Sequence, residues 1–256
     1  MKSVVSKCLL IAVIFFSFLP TSFAGNIVEV GIDEKLGSAI PLNASFYSES
    51  GKKVRLGSLV KKPAIISLAY YSCSNICNNV LSNIADVLGK LDAEALRDYS
   101  VITISFDEKD SSENAVHKKK NYLKAISKPF PENGWRFLTG DKENISKITR
   151  AIGFNYIKKG EQFNHPTALV VVSPSGKIIR YIYGEKFLPF DLKLALLEAS
   201  EERVGASIPK ALLFCYSYDP NKRTYVFNVL KIAGTVTLVF AAGFLMYLTK
   251  GKGQEK

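Results

Sequence analysis

Histidine and methionine are scarce in this chain. Its 256 residues include two of each, with four cysteines and one tryptophan. Met1 and Met246 both fall in apolar terminal segments, which excludes thioether ligation from any site in the domain between them. His117 lies in a lysine run, so His165 is the one imidazole in a setting of its own. There is no internal repeat and no low-complexity stretch, and acid is in deficit. Thirty-four basic residues face 23 acidic ones, a formal charge of +11. That excess suits an anionic membrane surface or an acidic partner. It does not indicate nucleic acid, because the basic residues are dispersed. The one tight run, His117-Lys118-Lys119-Lys120, reads as the solvated face of an amphipathic helix with Val116, Leu123 and Ile126 inward.

What is present is an ordinary globular composition, 47% hydrophobic and 22% charged, between two unusual ends. Lys2 and Lys7 precede an apolar run from Cys8 to Leu19, and Ser22-Phe23-Ala24 follows. That pattern reads as a secretory signal over 1–24, with a retained anchor as the competing reading. Cys8 has no lipobox around it and reads as filler. Residues 226–249 form a second apolar segment, uncharged from Ile232 to Leu248, with Lys231 placed to snorkel. The basic tail 250–256 puts the C-terminus in the cytoplasm and the preceding domain outside it. The expected organisation is a domain over 25–205, a juxtamembrane segment over 206–225 and one transmembrane helix.

Within the domain, Asn26 to Leu42 reads as a lead-in carrying little core. A short hairpin is expected around Glu49-Ser50-Gly51. Pro63 to Tyr71 is an apolar run of strand length, buried on both faces, and Asn75 to Leu91 has helical spacing. A second buried strand spans Tyr99 to Phe106. A helix from about Ser112 to Ile126, a strand at Trp135 to Leu138 and a helix ending near Gly153 follow. Thr167 to Val172 and Lys177 to Tyr183 form a hairpin, and Leu188 to Glu202 a last helix. This is the α/β order of a thioredoxin-like central sheet flanked by helices, with an added helix in the middle and a C-terminal transmembrane helix.

Cys73 and Cys77 fall between a buried strand and the helix it feeds, where open α/β sheets place ligands. Unpaired N–H groups and the helix dipole favour thiolate there. Their i, i+4 spacing brings two sulfurs onto one helical face. Such a pair can grip a soft cation or close to a disulfide, and a purely structural bridge is the competing reading. In a thioredoxin topology the loop before the third core strand faces the end of the first, which sets His165 opposite the cysteines. Two thiolates and an imidazole suit Cu(I), with a zinc site that keeps an open position as the other reading of the same set. A turn histidine bonded to its own loop is the alternative for His165. Pro166 stands where thioredoxin-like proteins often carry a cis proline.

Tyr70-Tyr71-Ser72-Cys73-Ser74-Asn75-Ile76-Cys77 resembles the copper-site strand and CxxxC of the Sco/SenC family. Ser105-Phe106-Asp107 resembles its strand-end aspartate motif, and Asn164-His165-Pro166 its histidine motif. Gly134 to Gly140, Gly153-Phe154-Asn155-Tyr156 and Arg180 to Gly184 extend the likeness. Leu213 to Pro220 and the apolar segment after it resemble a bacterial branch with a C-terminal anchor. Asn78 and Ser74 depart from the family, standing where many members have proline. The resemblance implies Cu(I) or Cu(II) bound by Cys73, Cys77 and His165. It further implies copper delivery, or thiol chemistry, in assembling the dinuclear copper site of a haem–copper oxidase. The implied partners are that oxidase's copper-binding subunit or a copper donor chaperone, with the domain outside a bacterial inner membrane. Asp107 is implied as a residue hydrogen-bonding near the metal, against the alternative of a carboxylate capping the next turn. Cys215 is an odd thiol: a buried hydrophobe, a third sulfur near the site or half of an intermolecular bridge.

Three activities compete. A copper-binding assembly factor needs all three ligands, whereas a thiol–disulfide oxidoreductase needs Cys73 and Cys77 but not His165. A peroxidase would want an arginine beside Cys73, and the motif has none.

Overall fold

The apolar run after Pro63 has no polar alternation, so neither of its faces can meet water, and it forms the central strand of the domain. The computed structural model describes residues 30–72, 76–184, 186–205, 216–219, 224–227, 233–234, 237–238 and 240–241, with backbone only at 76–78, 216–219 and 224–227. The predicted signal segment, Cys73 and Cys215 lie outside the described residues.

In chain order come β1 (Gly31–Ile32), β2 (Ser45–Tyr47), β3 (Lys53–Arg55), α1 (Leu56–Leu59), β4 (Ala64–Ala69) and α2 (Ile76–Lys90). Next are β5 (Ser100–Ser105), α3 (Ser112–Ala125), β6 (Trp135–Leu138), α4 (Lys142–Ile152) and β7 (Phe154–Asn155). Then follow β8 (Ile157–Lys159), β9 (Gln162–Asn164), β10 (Ala168–Val172), β11 (Ile178–Tyr183), α5 (Pro189–Ser200), β12 (Tyr216–Asp219) and β13 (Thr224–Phe227).

Five strands form one mixed sheet in the order β11-β10-β4-β5-β6. β4, β5 and β6 run parallel, and β10 runs antiparallel to both β4 and β11. Successive side chains take opposite faces. Ile66, Ile102 and Leu138 enter one core cluster with α4, and Ile65, Val101 and Phe137 enter the other with α2, α3 and α5. Inside the sheet, Trp135 Nε1 donates to Thr103 Oγ1 at 2.9 Å, and that hydroxyl lies 2.7 Å from Ser67 Oγ. The strand polar groups thereby satisfy one another across three strands.

Several sequence expectations need correction. The lead-in does carry core, since Val30 and Ile40 are buried and β1 pairs with β7. Gly153 makes that pairing possible. It ends α4 at φ 70°, and a Cβ there would lie 1.8 Å from the Asp33 carbonyl oxygen. On α3 the buried side chains are Ala115, Lys119 and Tyr122, and Leu123 and Ile126 pack into the core as expected, while Val116 is 45% exposed. Lys119 therefore leaves the solvated run. Its ammonium sits 3.0 Å from buried Glu49, which also receives Arg136 at 2.9 Å and the Phe137 N–H at 2.9 Å. A carboxylate carried inward by the β2–β3 turn needs cations, and the lysine stem covers the route in.

Two hairpins had no sequence expectation, β8–β9 and β12–β13. Val226 and Phe227, counted in the predicted membrane helix, lie in β13. Ala233, Gly234, Thr237, Leu238, Phe240 and Ala241 are helical. Among the described residues no helix is long and apolar enough to cross a membrane, and most of the predicted anchor lies outside them.

Candidate metal centre

β4 and β10 are neighbours of opposite direction, in register at Ser67 and Leu169. Following the pair toward one sheet edge leads forward to Tyr71 and Ser72 on one chain and back to His165 on the other. The chain then turns into α2, with Cys77 as its second residue. In that first turn backbone N–H groups lack helical partners and the helix dipole is positive, a setting that favours thiolate. β5 ends at the same edge and contributes Phe106, Asp107 and Asp110. The strand order thus brings the Cys77 backbone, His165 and the residues preceding Cys73 to one edge of the sheet. Cys73 lies outside the described residues, and Cys77 is described by its backbone alone.

His165 is held from several sides. It is 9% exposed, and its ring packs against Tyr70, Phe106 and Phe154 with centroids 5.8, 5.1 and 6.1 Å away. Phe163 and Tyr156 complete the aromatic cluster around Phe106. The hairpin β8–β9 delivers the histidine, since its last strand ends at Asn164. His165 Nδ1 lies 2.9 Å from the Pro166 carbonyl oxygen. A carbonyl can only accept, so the proton belongs on Nδ1, and the neutral ring then carries its lone pair on Nε2. No described peptide bond is cis, so the bond before Pro166 is trans.

Asp107 is buried, but its contacts are those of a turn. Its Oδ1 accepts the Lys109 N–H at 3.0 Å, and its own N–H donates to Ser105 Oγ at 3.2 Å. The capping alternative describes these contacts. The carboxylate that reaches the cysteine strand is Asp110. Its Oδ2 accepts the Tyr71 N–H at 2.5 Å and the Ser105 hydroxyl at 2.6 Å. Burial pushes the Asp110 carboxyl above its usual range, with these hydrogen bonds opposing the shift. Asp110 was missed in the sequence, where it reads as the residue before the Ser111 cap of α3. The phenol of Tyr71 fixes the same strand from the far side, lying 3.0 Å from the Thr103 carbonyl oxygen and 2.8 Å from that of Leu138. Among the described residues no three His, Cys, Asp or Glu side chains are grouped to hold a metal, and the described residues hold only one complete side chain of the predicted trio.

The SCO1/SenC family model matches residues 37–190, a segment that includes Cys73, Cys77, Asp110 and His165. The chain is similar to the SCO1 protein homolog of Bacillus subtilis, at 27% identity over 151 residues, covering 57% of this chain and 75% of that protein. It spans smaller shares, 41% and 56%, of two other curated relatives from Arabidopsis thaliana and Stutzerimonas stutzeri. Among solved structures it is similar to a "putative electron transfer protein" from Aquifex aeolicus, at 30% identity and TM-score 0.60, covering 65% of this chain and 95% of that one. Arabidopsis thaliana ScoI with copper bound shares the fold at 21% identity and TM-score 0.52, over 65% and 99% of the two chains. A family match over more than half the length, on a fold that carries the histidine motif and the CxxxC helix to one sheet edge, shows that the chain belongs to the SCO1/SenC family.

Proposed function

We propose that this chain binds one copper ion as cargo through Cys73, Cys77 and His165, and passes it to the dinuclear copper site of a haem–copper oxidase during assembly. The observation that carries the reading is the fixed imidazole. Its tautomer leaves Nε2 as the ligating atom, at the sheet edge where the CxxxC helix begins. Two thiolates and one imidazole favour Cu(I) over harder cations, and three ligands leave the metal open to exchange with an acceptor's ligands. The relative from Arabidopsis thaliana solved with copper bound supports the metal. Binding requires both thiols reduced and releases their protons, so keeping cysteines reduced belongs to the same function. The domain faces the outside of a bacterial inner membrane, held there by the apolar segment near the C-terminus.

The test is Cu(I) competition under anaerobic conditions on the purified full chain and three variants. Cys73→Ser and Cys77→Ser are expected to abolish tight binding. His165→Ala is expected to weaken it by ~10–100-fold or more while leaving the Cys73–Cys77 disulfide able to form. Equal, weak binding by wild type and His165→Ala would refute the copper reading and leave thiol–disulfide exchange as the function.

A further inference from the structure

Past Ala69, β4 loses its partner. The last ladder contact with β5 is the Phe106 N–H donating to the Ala69 carbonyl at 2.9 Å, after which the two chains separate. Tyr71 is 3% exposed, and its N–H then has no strand to receive it, a costly condition unless something else accepts. Asp110 is that acceptor. One carboxylate, on a residue 8% exposed, takes the Tyr71 N–H and the Ser105 hydroxyl together. Both bonds land on one oxygen, Oδ2, and a carboxylate oxygen accepts such a pair more strongly than a neutral group does. The residue after Ser72 is Cys73.

We infer that Asp110 is a positioning residue for the metal site: by clamping the Tyr71 amide it holds the chain two residues before Cys73. The inference rests on the copper reading proposed above. Its basis in the fold is that the clamp joins separate elements. Ser105 ends β5, Asp110 precedes α3, and Tyr71 is fixed on its other side through its phenol to the carbonyls of Thr103 and Leu138. The sheet thus braces Tyr71 through both its amide and its phenol. A site with preset ligands avoids ordering them on binding, which raises affinity without any contact between Asp110 and the metal. Asn at this position keeps the size and one accepting oxygen, but an amide oxygen is a weaker acceptor than a carboxylate.

The experiment compares the full chain, Asp110→Asn and Cys73→Ser by Cu(I) competition, thermal melting, and hydrogen exchange of the peptide covering residues 64–80. Asp110→Asn is expected to melt cooperatively, to bind Cu(I) ~10–100-fold more weakly, and to exchange faster in that peptide alone. Unchanged affinity in a wild-type-binding background would overturn the positioning role. If wild type and Cys73→Ser bind copper equally poorly, the copper reading fails instead, and faster exchange in Asp110→Asn would still report the clamp. Should Asp110→Asn lose cooperative melting, Ser105→Ala decides, since it removes the hydroxyl that holds the carboxylate and keeps the charge. A smaller loss of the same kind supports the inference, and no change in either affinity or exchange overturns it.

Discussion

Two buried tyrosines make opposite use of their hydroxyls. Tyr71 donates toward the Thr103 and Leu138 carbonyls, while the Tyr99 hydroxyl is buried with no hydrogen-bond partner among the described residues. Burial drives both phenols above their usual range, so each keeps its proton at any ordinary pH. Tyr71→Phe strands a shared acceptor site and is expected to cost about 1–3 kcal/mol in urea unfolding. Tyr99→Phe removes a polar atom that burial leaves unmatched, and is expected to be neutral or stabilising by up to about 1 kcal/mol. A cost at Tyr99 as large as at Tyr71 would refute that reading of the two hydroxyls. The sequence marks both as apolar-run residues and says nothing of what the hydroxyl meets. His165 was legible because imidazole is so scarce in the chain. Asp110 was not, because its role depends on an amide 39 residues away and a hydroxyl 5 residues away, and the adjacent serine cap offered a sufficient local explanation.

At the scale of elements, the long signals held. β4, β5, β10 and α2 follow from apolar runs and helical spacing because each is buried on the side that the pattern predicts. The β8–β9 hairpin did not show. It has three residues per strand around Gly160, too short for alternation to register, yet it delivers His165. The face of α3 was misread for another reason: the burial of Lys119 is decided by Glu49, which lies on the β2–β3 turn. Burial alone would raise the Glu49 carboxyl, but hydrogen bonds from Arg136, the Phe137 N–H and Lys119 outweigh it and hold the group below its ordinary 4.5. A lowered carboxyl stabilises the fold fully above its unfolded value, and that contribution fades as pH falls through the folded one. Stability should therefore be flat near neutrality and decline below about pH 4.5. Glu49→Gln leaves Lys119 and Arg136 facing each other without an anion and is expected to cost about 3–5 kcal/mol at pH 7. It should also flatten the acid decline, and urea unfolding at pH 7 and pH 4 on both proteins measures the two effects. A variant as stable as wild type at pH 7 would mean that the network is solvated rather than buried.

For the whole molecule, the question is what the segment after Gly205 contributes. The buried core residues described all fall between Val30 and Ala199. The domain closes on itself there, with the Arg203 N–H bonded to the Glu198 carbonyl and the Gly205 N–H to the Ile179 carbonyl. Arg180 and Glu198 form a half-buried pair beneath that exit, at 2.7 Å. Ile179 lies toward the start of β11, whereas the end of that strand pairs with Ala168, near His165. The chain therefore leaves the sheet away from the candidate metal edge. A chain of residues 30–205 is accordingly expected to keep both the fold and the site. Its melting temperature should fall within about 4 °C of the full chain, and its Cu(I) affinity within about threefold, because a difference of 1 kcal/mol moves a domain of this size by only a few degrees. The proposed anchoring by the apolar segment predicts that it also loses sedimentation with membranes. Cooperative melting with much weaker copper binding would instead assign a ligand to the removed part, with Cys215 the first thiol to test, and Cys215→Ser in the full chain would then have to show the same loss.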